Sequence, residues 1–94
     1  MVIQSFGSRE TEAIFEGRRS RHLPPEIHVR ARRRLRQLHN ANSINDLRVP
    51  PSNRLERLSG DRSGQWSIRI NQQWRVVFRW EDGNASDVQL IDYH

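Results

Sequence analysis

No cysteine occurs in the 94 residues, which excludes disulfides and thiolate metal sites. Lysine is equally absent, so all sixteen cationic side chains are arginine. No apolar run approaches the length that spans a bilayer. The opening "MVIQSFGSRE" lacks the cationic start and apolar stretch of a secretory leader. These absences predict a soluble, cytoplasmic protein with no membrane partner. His22, His28, His39 and His94 are scattered without an i, i+4 pair, so no metal or other cofactor is expected. Neither a Gly-Lys-Ser/Thr phosphate loop nor a serine in a nucleophile elbow is present.

What the chain does have is concentrated positive charge. Residues 17–57 hold eleven arginines against Glu26, Asp46 and Glu56, a surplus of eight, while the rest of the chain carries a surplus of three acids. A GC-rich genome accounts for arginine in general but not for its placement. A basic half on a small protein points to a polyanion, most often nucleic acid, with an acidic protein as the alternative.

The apolar pattern changes period along the chain. "VIQSF" suggests an opening strand. Ser8 suits a helix N-cap followed by Glu10 and Glu12, and Gly17 suits the end of that helix. Pro24 and Pro25 predict the start of a second helix. Its Ile27, Ala31, Leu35 and Leu38 form one apolar stripe, flanked by Arg30, Arg32, Arg33, Arg34 and Arg36, of which only Arg30 has an acid four residues away, Glu26. Beyond the proline-marked "RVPPSN" the period falls to two. "RLERL", "WSIRI", "WRVVFRW" and the last residues from about Ala85 read as an antiparallel meander with turns at "SGDRSG", "NQQ" and "EDGN". Trp74, Val76, Phe78 and Trp80 share one face, Arg75, Val77 and Arg79 the other, where Arg69 joins them. The fold class expected is therefore α+β, a small antiparallel sheet with two N-terminal helices on one face, as a single domain over residues 1–94.

The residues also permit phosphodiester cleavage without a metal. RNA carries its own nucleophile, the 2′-hydroxyl, so a protein need only take its proton, supply one to the leaving oxygen and stabilise the phosphate. Asp92, Tyr93 and His94 at the chain end, with Arg75 on the basic face, contain those groups. As a bare triplet "DYH" is a weak motif, and a solvated tail is the more ordinary reading.

The stretch "GDRSGQWSIRINQQWRVVFRW" followed by "DVQLIDYH" resembles the HigB-type toxins of the RelE-like superfamily, and the resemblance spans nearly the whole chain. It implies a twisted antiparallel sheet with helices on one side. It also implies a toxin of a type II toxin–antitoxin module, a ribosome-dependent endoribonuclease that cleaves mRNA by 2′-hydroxyl attack and inhibits translation. Asp92, Tyr93 and His94 match the family's active-site residues, and Arg75 its phosphate-contacting arginine. Two positions depart, since Glu56 stands where relatives have histidine and Ser59 where they have lysine. Glu56 then becomes a candidate base or hydrogen-bond acceptor, and Arg54, Arg57 or Arg62 a substitute phosphate contact, in an enzyme weaker than its relatives. Arg69 and Arg79 complete the expected RNA-binding set. The resemblance further implies a helix-turn-helix antitoxin of the HigA type as partner. Arg30, Arg33 and Arg34 face either that antitoxin or ribosomal RNA. A non-catalytic basic module on the same fold is the competing expectation.

Overall fold

In a computed structural model, which describes residues 2–93, two helices cover one face of a four-stranded antiparallel sheet. Strands β1 (Glu56–Arg57), β2 (Gln65–Arg69), β3 (Trp74–Glu81) and β4 (Asn84–Asp92) lie side by side in chain order. Two turns make that order possible. Asn71 Oδ1 accepts the backbone N–H groups of Gln73 and Trp74 at 2.8 and 2.7 Å, which closes the β2–β3 connection. Asp82 and Gly83, at φ 52° and 77°, form the paired left-handed turn that a two-residue hairpin prefers.

Helix α1 (Arg9–Phe15) starts where Ser8 Oγ accepts the Thr11 N–H at 3.2 Å, and Gly17 at φ 84° ends it. Thr11 is fully buried, and its hydroxyl accepts the Leu90 N–H at 2.9 Å, so one side chain fastens α1 to β4. Helix α2 (His28–Asn40) is preceded by a tighter 3₁₀ turn at Pro25–Ile27, so the prolines start the turn rather than the helix itself. The predicted stripe is the one that packs: Ile27, Ala31, Leu35 and Leu38 are buried against Ile68, Ile70, Val76, Phe78 and Val88 of the sheet. Trp66, Trp74 and Trp80 border this core. No helix among the described residues is long and apolar enough to cross a membrane.

Two expected elements differ. "VIQSF" does not form a strand of the meander; it runs parallel to β4 and touches it at Ile3–Ala85 and Phe6–Val88. Between those contacts β4 bulges, with Asp87 at φ 51° and its N–H on Ser5 Oγ, so a continuous ladder is interrupted. "RLERL" shrinks to the two residues of β1, because Arg54 turns left-handed at φ 45° just before it.

Candidate active site on the open sheet face

Strand alternation decides which side chains meet. Residues opposite one another in register share a face, which puts Arg69, Arg75 and Ile91 in one row and Ser67, Val77 and Gln89 in the next. Glu56 lies opposite Ser67, and Gln65 opposite Arg79. This is the face away from the helices. It is less uniformly basic than its sequence suggests, since Ser67 and Val77 are fully buried at its centre.

Arg75 organises the site. Its side chain is only 12% exposed, although it lies on the uncovered side of the sheet. Nη1 donates to Ser67 Oγ at 2.7 Å and to the Arg54 carbonyl at 3.4 Å. Nη2 donates to Glu56 Oε1 at 3.3 Å, and the Tyr93 ring stacks 5.3 Å from the guanidinium carbon. The left-handed turn at Arg54 aims that carbonyl, and Asn53 holds the turn. Asn53 is fully buried and donates to Gln37 Oε1 and to the carbonyls of Leu47 and Val49.

An arginine has five N–H groups. Three of those on Arg75 are engaged, which leaves Nε–H and one Nη2–H without a partner among the described residues. Nε and Nη2 share one edge of the guanidinium, the kind of fork that can match two phosphate oxygens. The side chain is thus anchored mainly through Nη1, and its Nε–Nη2 edge carries one bond, to Glu56. Glu56, half exposed, sits at that edge with a carboxylate that can accept a proton. Its bond to Arg75 is of the partly solvated kind that adds little stability.

The remaining candidates distribute unevenly. Tyr93, Glu56, Arg54 and Arg75 come together. Asp92 does not join them: it pairs across from Trp74, in the row that faces the helices, and accepts Gln73 Nε2 at 3.0 Å. His94 lies outside the described residues. Arg57 is turned toward the opposite row, with its guanidinium 5.7 Å from the Trp66 ring. Arg62 donates to Gln65 Oε1 at 3.4 Å beyond the end of β1, and Arg79 pairs with Asp87 at the β4 bulge, also at 3.4 Å. Arg69 shares the row of Arg75, its Nε on the Asn71 carbonyl. Arg30 and Arg33 are exposed on α2, with Arg34 partly covered beside them.

Ser67, whose hydroxyl accepts from Arg75, is not singled out by the sequence. Its signal was its phase: it alternates with Trp66 and Ile68, which places a hydroxyl on the Arg75 side of the sheet. No comparable signal marks Asn53 or the Arg54 carbonyl, because the first acts by bonding a loop with its side chain and the second through backbone conformation.

Known proteins share this arrangement of sequence and fold. The family model described as the RelE-like toxin of the type II toxin–antitoxin system HigB matches residues 4–94. Toxin HigB-1 of Vibrio cholerae serotype O1 is 40% identical over 86 residues, which cover 90% of either chain. Endoribonuclease HigB of Proteus vulgaris is 31% identical over 93 residues, 99% of this chain and 100% of that one. Among solved structures, the YoeB–YefM complex from Staphylococcus aureus matches with a TM-score of 0.61 at 17% identity, covering 100% of this chain and 97% of that chain, a likeness of fold.

Proposed function

This chain belongs to the HigB-like toxins, RelE-like toxins of type II toxin–antitoxin systems, and from that premise we propose that it is an endoribonuclease cutting mRNA on the ribosome and thereby inhibiting translation. The observation that carries the reading is Arg75, held on three bonds with N–H donors left over for a phosphate. The name of the Proteus vulgaris relative, an endoribonuclease, supports it.

The chemistry follows from the groups present. A base removes the proton of the 2′-hydroxyl, the oxygen bonds to the adjacent phosphorus, and the bond from phosphorus to the 5′-oxygen breaks. An acid protonates that leaving oxygen. The products are a 2′,3′-cyclic phosphate and a 5′-hydroxyl. Arg75 meets the charge that builds on the phosphate oxygens, where a preplaced donor acts without reorganising. Glu56 is assigned as the base, because it is the carboxylate adjoining Arg75. His94 is assigned as the acid, and Tyr93 as the ring that keeps the Arg75 guanidinium in plane. Asp92 is assigned a positioning part, tying the end of β4 to the β2–β3 turn through Gln73. No cofactor enters this scheme. A cognate antitoxin, of the HigA-like helix-turn-helix kind, restrains the toxin in the cytoplasm until it is released.

The test is to map new 5′ ends on an mRNA offered to the purified chain, once on programmed ribosomes and once naked. Cuts on ribosomes alone support the proposal. Binding to both without any new end would replace it with a non-catalytic RNA-binding module.

A further inference from the structure

A second basic site lies around the end of the sheet from Arg75. Strand β1 stops beside Ser67, so β2 runs on with an uncovered edge toward Arg69. Helix α2 closes that edge with a side chain: Arg34 Nε donates to the Arg69 carbonyl at 3.1 Å. Between helix and turn is a cleft of about 380 Å³, lined by Arg30, Arg34, Ser52, Arg69, Asn71 and Gln72 together with the apolar Ile70. Its lining contains three guanidiniums and no carboxylate.

Two of these guanidiniums are fixed by one nitrogen each. Arg34 uses Nε on the Arg69 carbonyl, and Arg69 uses Nε on the Asn71 carbonyl at 3.0 Å. Their Nη atoms, and the guanidinium nitrogens of Arg30, have no hydrogen-bond or ion-pair partner among the described residues. The Arg34 group is held below its ordinary value, first by burial and then by the neighbouring charges of Arg30 and Arg33. Such like-charge crowding is relieved by an anion. Arg69 also stands directly opposite Arg75 in register, on the same face, so the cleft continues the row in which the reaction is placed.

We propose that this cleft binds a backbone phosphate of RNA, separate from the phosphate that is cut. The inference rests on the RNA-directed reading above and adds a second phosphate to it. That phosphate belongs either to the message strand leading away from Arg75 or to ribosomal RNA. Planar guanidiniums from two elements, converging on one polar cleft, suit phosphate oxygens in either source.

A short 2′-O-methyl RNA oligomer and vacant small ribosomal subunits serve as separate probes. The oligomer has no nucleophile, so its binding is independent of cleavage. Affinity is measured against salt for the wild-type chain, for Arg30→Gln and for Arg30→Gln/Arg34→Gln. Arg30 has no internal bond, so the single variant keeps the fold, and circular dichroism checks the double one. The expected result is a loss of about tenfold in the double variant and several-fold in the single one. The log–log salt slope on the oligomer becomes shallower by about 0.7 for each phosphate that the variant no longer neutralises. Loss on the oligomer assigns the phosphate to the message, and loss on subunits alone assigns it to ribosomal RNA. Unchanged affinity and slope on both probes, a wild-type chain that binds neither, or a loss confined to binding of an acidic protein partner would overturn the proposal. Ribosomes left uncut by a wild-type chain whose binding still depends on Arg30 would instead defeat the cleavage reading and leave the cleft standing.

Discussion

The two faces of the sheet solve different problems with similar materials. The helix-side face buries Ile68, Val76, Phe78 and Val88 beneath α2, and its order comes from apolar contact. The open face is ordered by polar bonds: Arg75 reaches Ser67, Arg54 and Glu56, while Val77 fills the space beside them. Apolar packing is insensitive to direction, whereas a guanidinium fixed by three acceptors has a defined orientation. One face therefore supplies stability and the other presents a charged group in a set position. Substitutions on the two faces should accordingly separate stability from activity.

The largest expected effect is on activity. Arg75→Ala removes the guanidinium proposed to hold the phosphate and should slow cleavage by about 10²–10³-fold, read from initial rates on programmed ribosomes. Arg75→Lys should restore little, because an ammonium cannot grip two oxygens in the same plane. On the other face, Leu35→Ala should cost about 2–5 kcal/mol of folding free energy. That appears as a fall of at least several degrees in Tm, at about 4–8 °C per kcal/mol for a chain of this size. The rate per folded molecule should stay unchanged. A Leu35 variant that kept its Tm but lost cleavage would break the division between the faces. Ser67→Ala should fall between the two, because Arg75 keeps its other acceptors. Loss of one hydrogen bond to a charged group costs about 1.5–3 kcal/mol of folding free energy, so Tm should fall by several degrees, and cleavage per folded molecule should slow by less than in Arg75→Ala.

Much of the helix-side face was legible in the sequence, because its information is periodic. Ile27, Ala31, Leu35 and Leu38 repeat at helical spacing and are all buried, and the alternation in "WRVVFRW" places Phe78 in the core and Arg75 outside it. The hairpin at Asp82–Gly83 was readable from its dipeptide. What escaped was non-periodic. The opening segment runs parallel to β4 and is interrupted at a bulge, a pairing that its own residues do not signal. The support of Arg75 depends on a left-handed Arg54 and a buried Asn53, each of which reads in sequence as an ordinary loop residue. Asp92 shows the limit of a contiguous motif, since it lies in the row of Trp74 while the neighbouring Tyr93 stacks on Arg75.

In the proposed reaction the open face, through Arg75, cleaves RNA with the substrate's own 2′-hydroxyl. The most direct measurement offers programmed ribosomes an mRNA carrying a single 2′-deoxy nucleotide on the 5′ side of the mapped cut, with an all-ribose message as control. The wild-type chain is expected to cut the control, leaving a 2′,3′-cyclic phosphate and a 5′-hydroxyl, and to leave the deoxy position intact. Cleavage at the deoxy position, at a rate equal to the control, would contradict it.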